Sequence, residues 1–155
     1  MNYFILVTSI FVVLTDQLTK ILASIYLKQD IVLINNLFSL SLVNNDGAAW
    51  NIFSGKQAFL IVITFIILVL VYNMMYQFPK NKINNLAFGL LLGGIFGNLI
   101  DRIFKGYVID FISVSTFPVF NIADCGITIG IIILIIQSIR KDIKSKNDNS
   151  RSWKC

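Results

Sequence analysis

The sequence contains no histidine and no glutamate, so all eight acidic residues are aspartate. Without histidine, a Ser-His-Asp or Cys-His nucleophilic arrangement is impossible, and so is a metal centre built on imidazole. Cysteine is nearly absent as well: Cys125 stands at a helix start and Cys155 at the chain end, which suggests no disulfide framework. Cys125 has no partner to activate it as a nucleophile and reads as a small helix residue. Charged residues make up 14% of the chain, against about 25% in soluble domains. No internal repeat, Pro-rich linker or low-complexity block interrupts the chain.

What the chain has in excess is apolar length, with 56% hydrophobic residues. Four runs, 2–26, 58–76, 83–100 and 121–139, satisfy the rule of about 20 mostly apolar residues per membrane-spanning helix. Four spans in 155 residues leave room for a single bundle, one domain over 1–155, with a polar tail over 141–155 that is expected to be disordered. The first run carries no Lys or Arg before Asp16 and is followed by three further spans, so a retained helix is expected rather than a cleaved signal peptide. The second run, "AFLIVITFIILVLVYNMMY", is apolar all round and reads as purely structural. Between these two, "FSLSLVNNDGAAW" alternates and then breaks at Asn-Asn-Asp-Gly, the pattern of a strand followed by a turn. The fold class expected is an all-α membrane protein of four transmembrane helices, with a small extracytoplasmic sheet on the outer surface.

The net charge of +5 is placed for topology and not for nucleic acid. Arg140, Lys141, Lys144, Lys146, Arg151 and Lys154 follow the last span, and Lys80 and Lys82 lie between the second and third. The positive-inside rule then puts both termini in the cytoplasm and the loops after helices one and three outside.

The aspartates gather at one depth. Asp16 lies ~20 Å along the first helix, Asp101 at the outer edge of the third, and Asp124 about one turn inside the outer surface on the fourth. Asp110 falls in the short outer loop between helices three and four. Ionisable groups within a span are costly and usually face the bundle interior for a function. Asp16 and Lys20 have the i, i+4 spacing of an intrahelical pair that orients a site, and Asp101 is adjacent to Arg102, which suggests a structural ion pair or a headgroup contact. Asp110 and Asp124 are the best candidates for an unpaired, titrating couple.

Two close carboxyl groups in a low-dielectric site share a proton. One then serves as base to a water while the other polarises a carbonyl and later protonates the leaving amine. A proton- or cation-coupled small transporter using the buried aspartates is the alternative, although no carboxylate lies near the midplane where a transport site belongs. A purely structural subunit leaves the carboxylates without a purpose.

The motifs "DQLTK", "NNDGAAW", "GGIFGNLIDR", "GYVIDF" and "FNIAD", in that order between four spans, resemble those of the lipoprotein signal peptidases, the type II signal peptidases of bacteria. The resemblance runs from about Asp16 to Gly130. It implies an aspartic endopeptidase of the bacterial inner membrane that removes the signal peptide from prolipoproteins, cutting before a diacylglyceryl-modified cysteine. It also implies no metal or cofactor, membrane lipid as surroundings, and a monomer with its site near the outer face. The catalytic pair maps onto Asp110 and Asp124, and the supporting positions onto Asp16, Lys20, Asn45, Gly47, Gly94, Asn98, Asp101, Arg102, Asn121 and Ala123. Asn121 shares a helical face with Asp124, as Asn98 does with Arg102. Gly93, Gly94 and Gly97 allow close approach of the third helix to a neighbour or a lipid chain. Cys125 stands where Ser or Thr is common in the family, and Trp50 where Phe is common.

Overall fold

The computed structural model describes residues 2–35, 37–47 and 52–152, without the side chains of 144–145 and 147–152. Ala48, Ala49 and Trp50 of the NNDGAAW motif, and Cys155, therefore lie outside the described residues. The chain folds as α1 (Tyr3–Tyr26), β1 (Ile31–Ile34), β2 (Phe38–Asn45), α2 (Gln57–Gln77), α3 (Lys82–Phe104), β3 (Val108–Val114) and α4 (Ile122–Ser152). All four helices are long and apolar enough to cross a membrane. Most of their large apolar side chains face outward, as lipid-facing surfaces do.

α1 buries a single stripe, Ile5, Val12, Asp16, Lys20 and Ala23, so the same helix face carries both apolar packing and the polar pair. Its hydroxyls do not seek distant partners: Thr8, Thr15 and Ser24 each donate to the carbonyl one turn back, at 2.8 Å. α2 buries only Leu60 and Val71 and packs chiefly on α3. α3 is the centre of the bundle, buried along most of its length and in contact with α1, α2 and α4. It starts at Asn81, whose side chain accepts from Asn84 N at 2.8 Å, two residues after Pro79 ends the preceding segment.

The three strands form one antiparallel sheet in the order β1-β2-β3. Asp110 therefore lies on a strand and not in a loop. The strand escaped notice because Val108, Ile109, Asp110 and Phe111 are all buried, which removes the alternation that reveals a half-exposed strand. The segment 111–120 is likewise structured. β3 continues to Val114, the chain reverses through Ser115, and Phe120 returns to pair with Ile112. This return is fixed by Ile112 N to Phe120 O at 2.8 Å and Phe120 N to Ile112 O at 2.9 Å. Phe111 packs with Ala23 and Leu27, clamping the sheet onto the end of α1.

At the other end, α4 does not stop at the membrane boundary. It continues as helix to Ser152, where the sequence suggested disorder. Lys and Arg are good helix formers, and extending an existing helix needs no new nucleus.

Candidate active site

The site is built where α1, the end of α3, β3 and the start of α4 meet. Asn121 is the N-cap of α4 and Asp124 its third residue, and the two satisfy each other. Asn121 Oδ1 accepts from Asp124 N at 3.0 Å, and Asp124 Oδ2 accepts from Asn121 N at 3.1 Å. This is the reciprocal capping box, with Asn and Asp in place of Ser/Thr and Glu. A carboxylate in the first turn also suits the positive end of the helix dipole.

Asp110 reaches the same place from the sheet. In the β2–β3 register it faces Val43, while Asn45, opposite Val108, is its diagonal neighbour on the same face. Asn45 Nδ2 donates to Asp110 Oδ2 at 2.8 Å, and Asn121 Nδ2 donates to Asp110 Oδ1 at 2.6 Å. Asn98 completes the circuit from α3: its Nδ2 donates to Asp124 Oδ1 at 2.8 Å, and its Oδ1 accepts from Asn121 Nδ2 at 3.1 Å. The two aspartates are thus joined through amides of fixed donor sense. Burial pushes the Asp110 carboxyl up from 3.8 to about 6; the charge of Asp124 adds to the rise, while the hydrogen bonds from Asn45 and Asn121 oppose it.

Beneath this couple lies a second charged cluster that is wholly buried. Lys20 Nζ bonds Asp16 Oδ2 at 2.8 Å, Asp101 Oδ2 at 2.9 Å and Asn98 Oδ1 at 2.9 Å, and the side chains of all three ionic members are 0% exposed. An ammonium has three N–H donors, and here each has an acceptor. The cluster also holds α4 from below, because Asp16 Oδ1 accepts from Ala123 N at 2.9 Å. Asp101 does not pair with Arg102. Its second oxygen takes Lys105 at 2.8 Å, since i and i+4 share a helix face whereas adjacent residues diverge by about 100°. Arg102 turns toward the outer loop instead and donates to Gly47 O at 3.2 Å. Gly47 N in turn donates to Asn45 Oδ1 at 3.0 Å. Arg102 Nε is buried and has no hydrogen-bond partner among the described residues.

Gly94 sits where α3 touches α4: a side chain there meets the Ala123 carbonyl and Ile127. A methyl at Gly97 would lie 2.7 Å from Asp16 Oδ2. Both glycines thus face neighbouring helices. Two residues escaped the sequence reading. Lys105 could have been found from its i+4 spacing to Asp101. Gln17, whose Nε2 reaches Asp16 Oδ2 at 3.2 Å and Gly97 O at 3.1 Å, gave no signal beyond being polar within a span. Among the described residues no group of three or more His, Cys, Asp or Glu side chains could hold a metal.

Compared with known proteins, residues 8–140 match the family model described as signal peptidase (SPase) II. The chain is 43% identical to a lipoprotein signal peptidase of Clostridium acetobutylicum, over 85% of this chain and 91% of that one. It is 40% identical to a lipoprotein signal peptidase of Staphylococcus aureus, over 95% and 96% of the two chains. Two solved bacterial membrane enzymes share its fold. One, at 2.3 Å, has a TM-score of 0.79 and 38% identity over 92% of this chain and 90% of its own. The other, at 1.9 Å, has a TM-score of 0.73 and 39% identity over 85% and 90%.

Proposed function

The chain belongs to the signal peptidase II family, and we propose that it is an aspartic endopeptidase that removes signal peptides from prolipoproteins, with Asp110 and Asp124 as the catalytic pair. The chain is a multi-pass bacterial membrane protein and a protease by family. The observation that carries the aspartic mechanism is the amide circuit Asp110–Asn121–Asn98–Asp124, which aims two carboxyl groups at one place from a strand and a helix N-terminus.

In the proposed reaction the couple holds one proton. The ionised carboxylate takes a proton from water as the water oxygen attacks the carbonyl carbon before the lipid-modified cysteine. The protonated carboxyl, a role suited to the raised Asp110, donates to the carbonyl oxygen. When the tetrahedral intermediate collapses, the C–N bond breaks and a proton passes to the cysteine amine. Asn45, Asn98 and Asn121 hold the carboxyl oxygens in place. The buried Lys20 cluster fixes the spacing of α1, α3 and α4, and Arg102 fixes the Gly47 turn over the site.

Lys80, Lys82 and the basic end of α4 support a topology with both termini in the cytoplasm. The aspartates, at the opposite ends of α3 and α4, then face outward at the membrane surface. A single domain over 1–155 acting as a monomer is sufficient, since the circuit is complete within one chain. The alternative of a proton- or cation-coupled transporter finds no support in the relatives, which are peptidases. The test is incubation of the purified protein in detergent with a diacylglyceryl-modified prolipoprotein peptide. Cleavage on the amino side of the modified cysteine supports the proposal, and an intact peptide contradicts it.

A further inference from the structure

At the end of the bundle opposite the aspartates, the first residues of α1, the last turns of α2 and the start of α3 enclose a cleft of about 580 Å³. The chemistry of the peptidase does not use it. Its apolar wall is formed by Phe78, Phe88, Leu92 and Phe96, with the first two rings packed edge to face at 5.6 Å. Its lip is polar. Lys80 is exposed there, and the hydroxyls of Tyr72 and Tyr76 bond each other at 2.6 Å.

Asn84, a residue only 2% exposed, also lines the cleft. Its Nδ2 donates to Pro79 O at 2.8 Å, but its Oδ1, fully buried, has no hydrogen-bond partner among the described residues. That oxygen is closed off from the cleft as well as from solvent, so Asn84 contributes to the wall and makes no polar contact with what fills it.

We propose that this cleft is a binding site for one anionic phospholipid of the leaflet opposite the active site, phosphatidylglycerol in chemical class. Length and charge both point to this occupant. From Asn84 to Phe96 the wall runs about 18 Å along α3, which is close to one leaflet of a hydrocarbon core about 30 Å thick. Among the described lining residues Lys80 is a cation and none is an acid, so the lip attracts a phosphate. An acyl chain fills the space between the ends of α1 and α2, which otherwise pack on one another little.

The test is native mass spectrometry of the full-length protein released from detergent, titrated separately with phosphatidylglycerol and phosphatidylcholine of the same acyl chains. One phosphatidylglycerol per chain is expected, retained about fivefold more tightly than phosphatidylcholine. Lys80→Gln, at an exposed position, should abolish that preference without changing peptide cleavage, and Lys82→Gln, nearby but outside the cleft, should leave it intact. Met75→Trp, which fills the cleft, should weaken both lipids. Equal retention of the two lipids, or a preference that survives Lys80→Gln and is lost with Lys82→Gln, overturns the proposal. So does detergent as the sole occupant.

Discussion

Asn121 and Asp124 cap their helix reciprocally, each accepting a hydrogen bond from the other's backbone N–H at 3.0 and 3.1 Å. The same Asn121 side chain reaches Asp110 at 2.6 Å. Helix initiation and placement of both carboxyl groups therefore depend on one amide. Ser at 121 still caps the helix but cannot reach Asp110 or Asn98. Asn121→Ser should lose about 1–3 kcal/mol of stability while kcat/KM, compared at equal folded fraction, falls on the order of 100-fold. Thermal unfolding and peptide cleavage measured on the same preparation separate the two effects, and unchanged kcat/KM would remove Asn121 from the account.

Lys20 neutralises two carboxylates in a site that water does not reach. Replacing it with Met leaves Asp16 and Asp101 buried without that cation, a loss of about 3–5 kcal/mol. Lys105→Met removes only the half-exposed partner of Asp101 and should cost less than about 1 kcal/mol. The ranking is read from unfolding midpoints in detergent, and equal losses would show that burial is not what sets the cost.

Asp110 makes stability depend on pH in a direction opposite to that of an ordinary paired carboxylate. Its folded-state value of about 6 lies above the ~3.9 of an unfolded chain. The folded protein thus binds the proton more tightly, and stability falls as pH rises from about 4 to 6. The full penalty, about 3 kcal/mol, is present above that window. Asp110→Asn removes it and gives up about 1 kcal/mol by turning one amide donor against another. The variant should be about 2 kcal/mol more stable than the parent at pH 8, and no more stable at pH 4. A constant difference across this range contradicts the raised value.

Gly94 allows the backbone of α4 to lie against α3 just where Ala123 carries Asp124. Gly94→Ala pushes on a backbone carbonyl, which cannot rotate away as a side chain can. A loss of about 1–3 kcal/mol accompanied by impaired cleavage is expected. Gly106→Ala, which has open space but a φ of +77°, should lower stability with less effect on cleavage. Comparing kcat/KM for the two variants at equal folded fraction decides the matter.

The membrane spans were readable because four apolar runs of the right length admit few other structures. That Asp16, Asp101 and the start of α4 meet at one level of the bundle followed from counting along helices. The sequence marks Asp110 as a candidate for the titrating couple but does not reveal its strand, since a strand buried on both faces loses its period-2 pattern. The partner of Asp101 was misassigned for a related reason. Adjacency to Arg102 in sequence suggested a pair, while helix geometry gives the contact to Lys105 at i+4 and to Lys20 across the bundle. That last contact links residues on two helices, and local spacing cannot reveal it. The polar tail shows the limit of composition: solvated residues can extend a helix that the membrane span has already nucleated.

The proposed catalytic couple is tested most directly by the single-turnover rate of cleavage of a diacylglyceryl-modified prolipoprotein peptide by purified Asp110→Asn and Asp124→Asn proteins, each shown to be folded by thermal unfolding. Each substitution leaves only one ionisable carboxyl in the amide circuit, so cleavage should fall by at least about four orders of magnitude in both. A folded variant of either kind that cleaves at the parent rate would contradict the two-carboxyl mechanism.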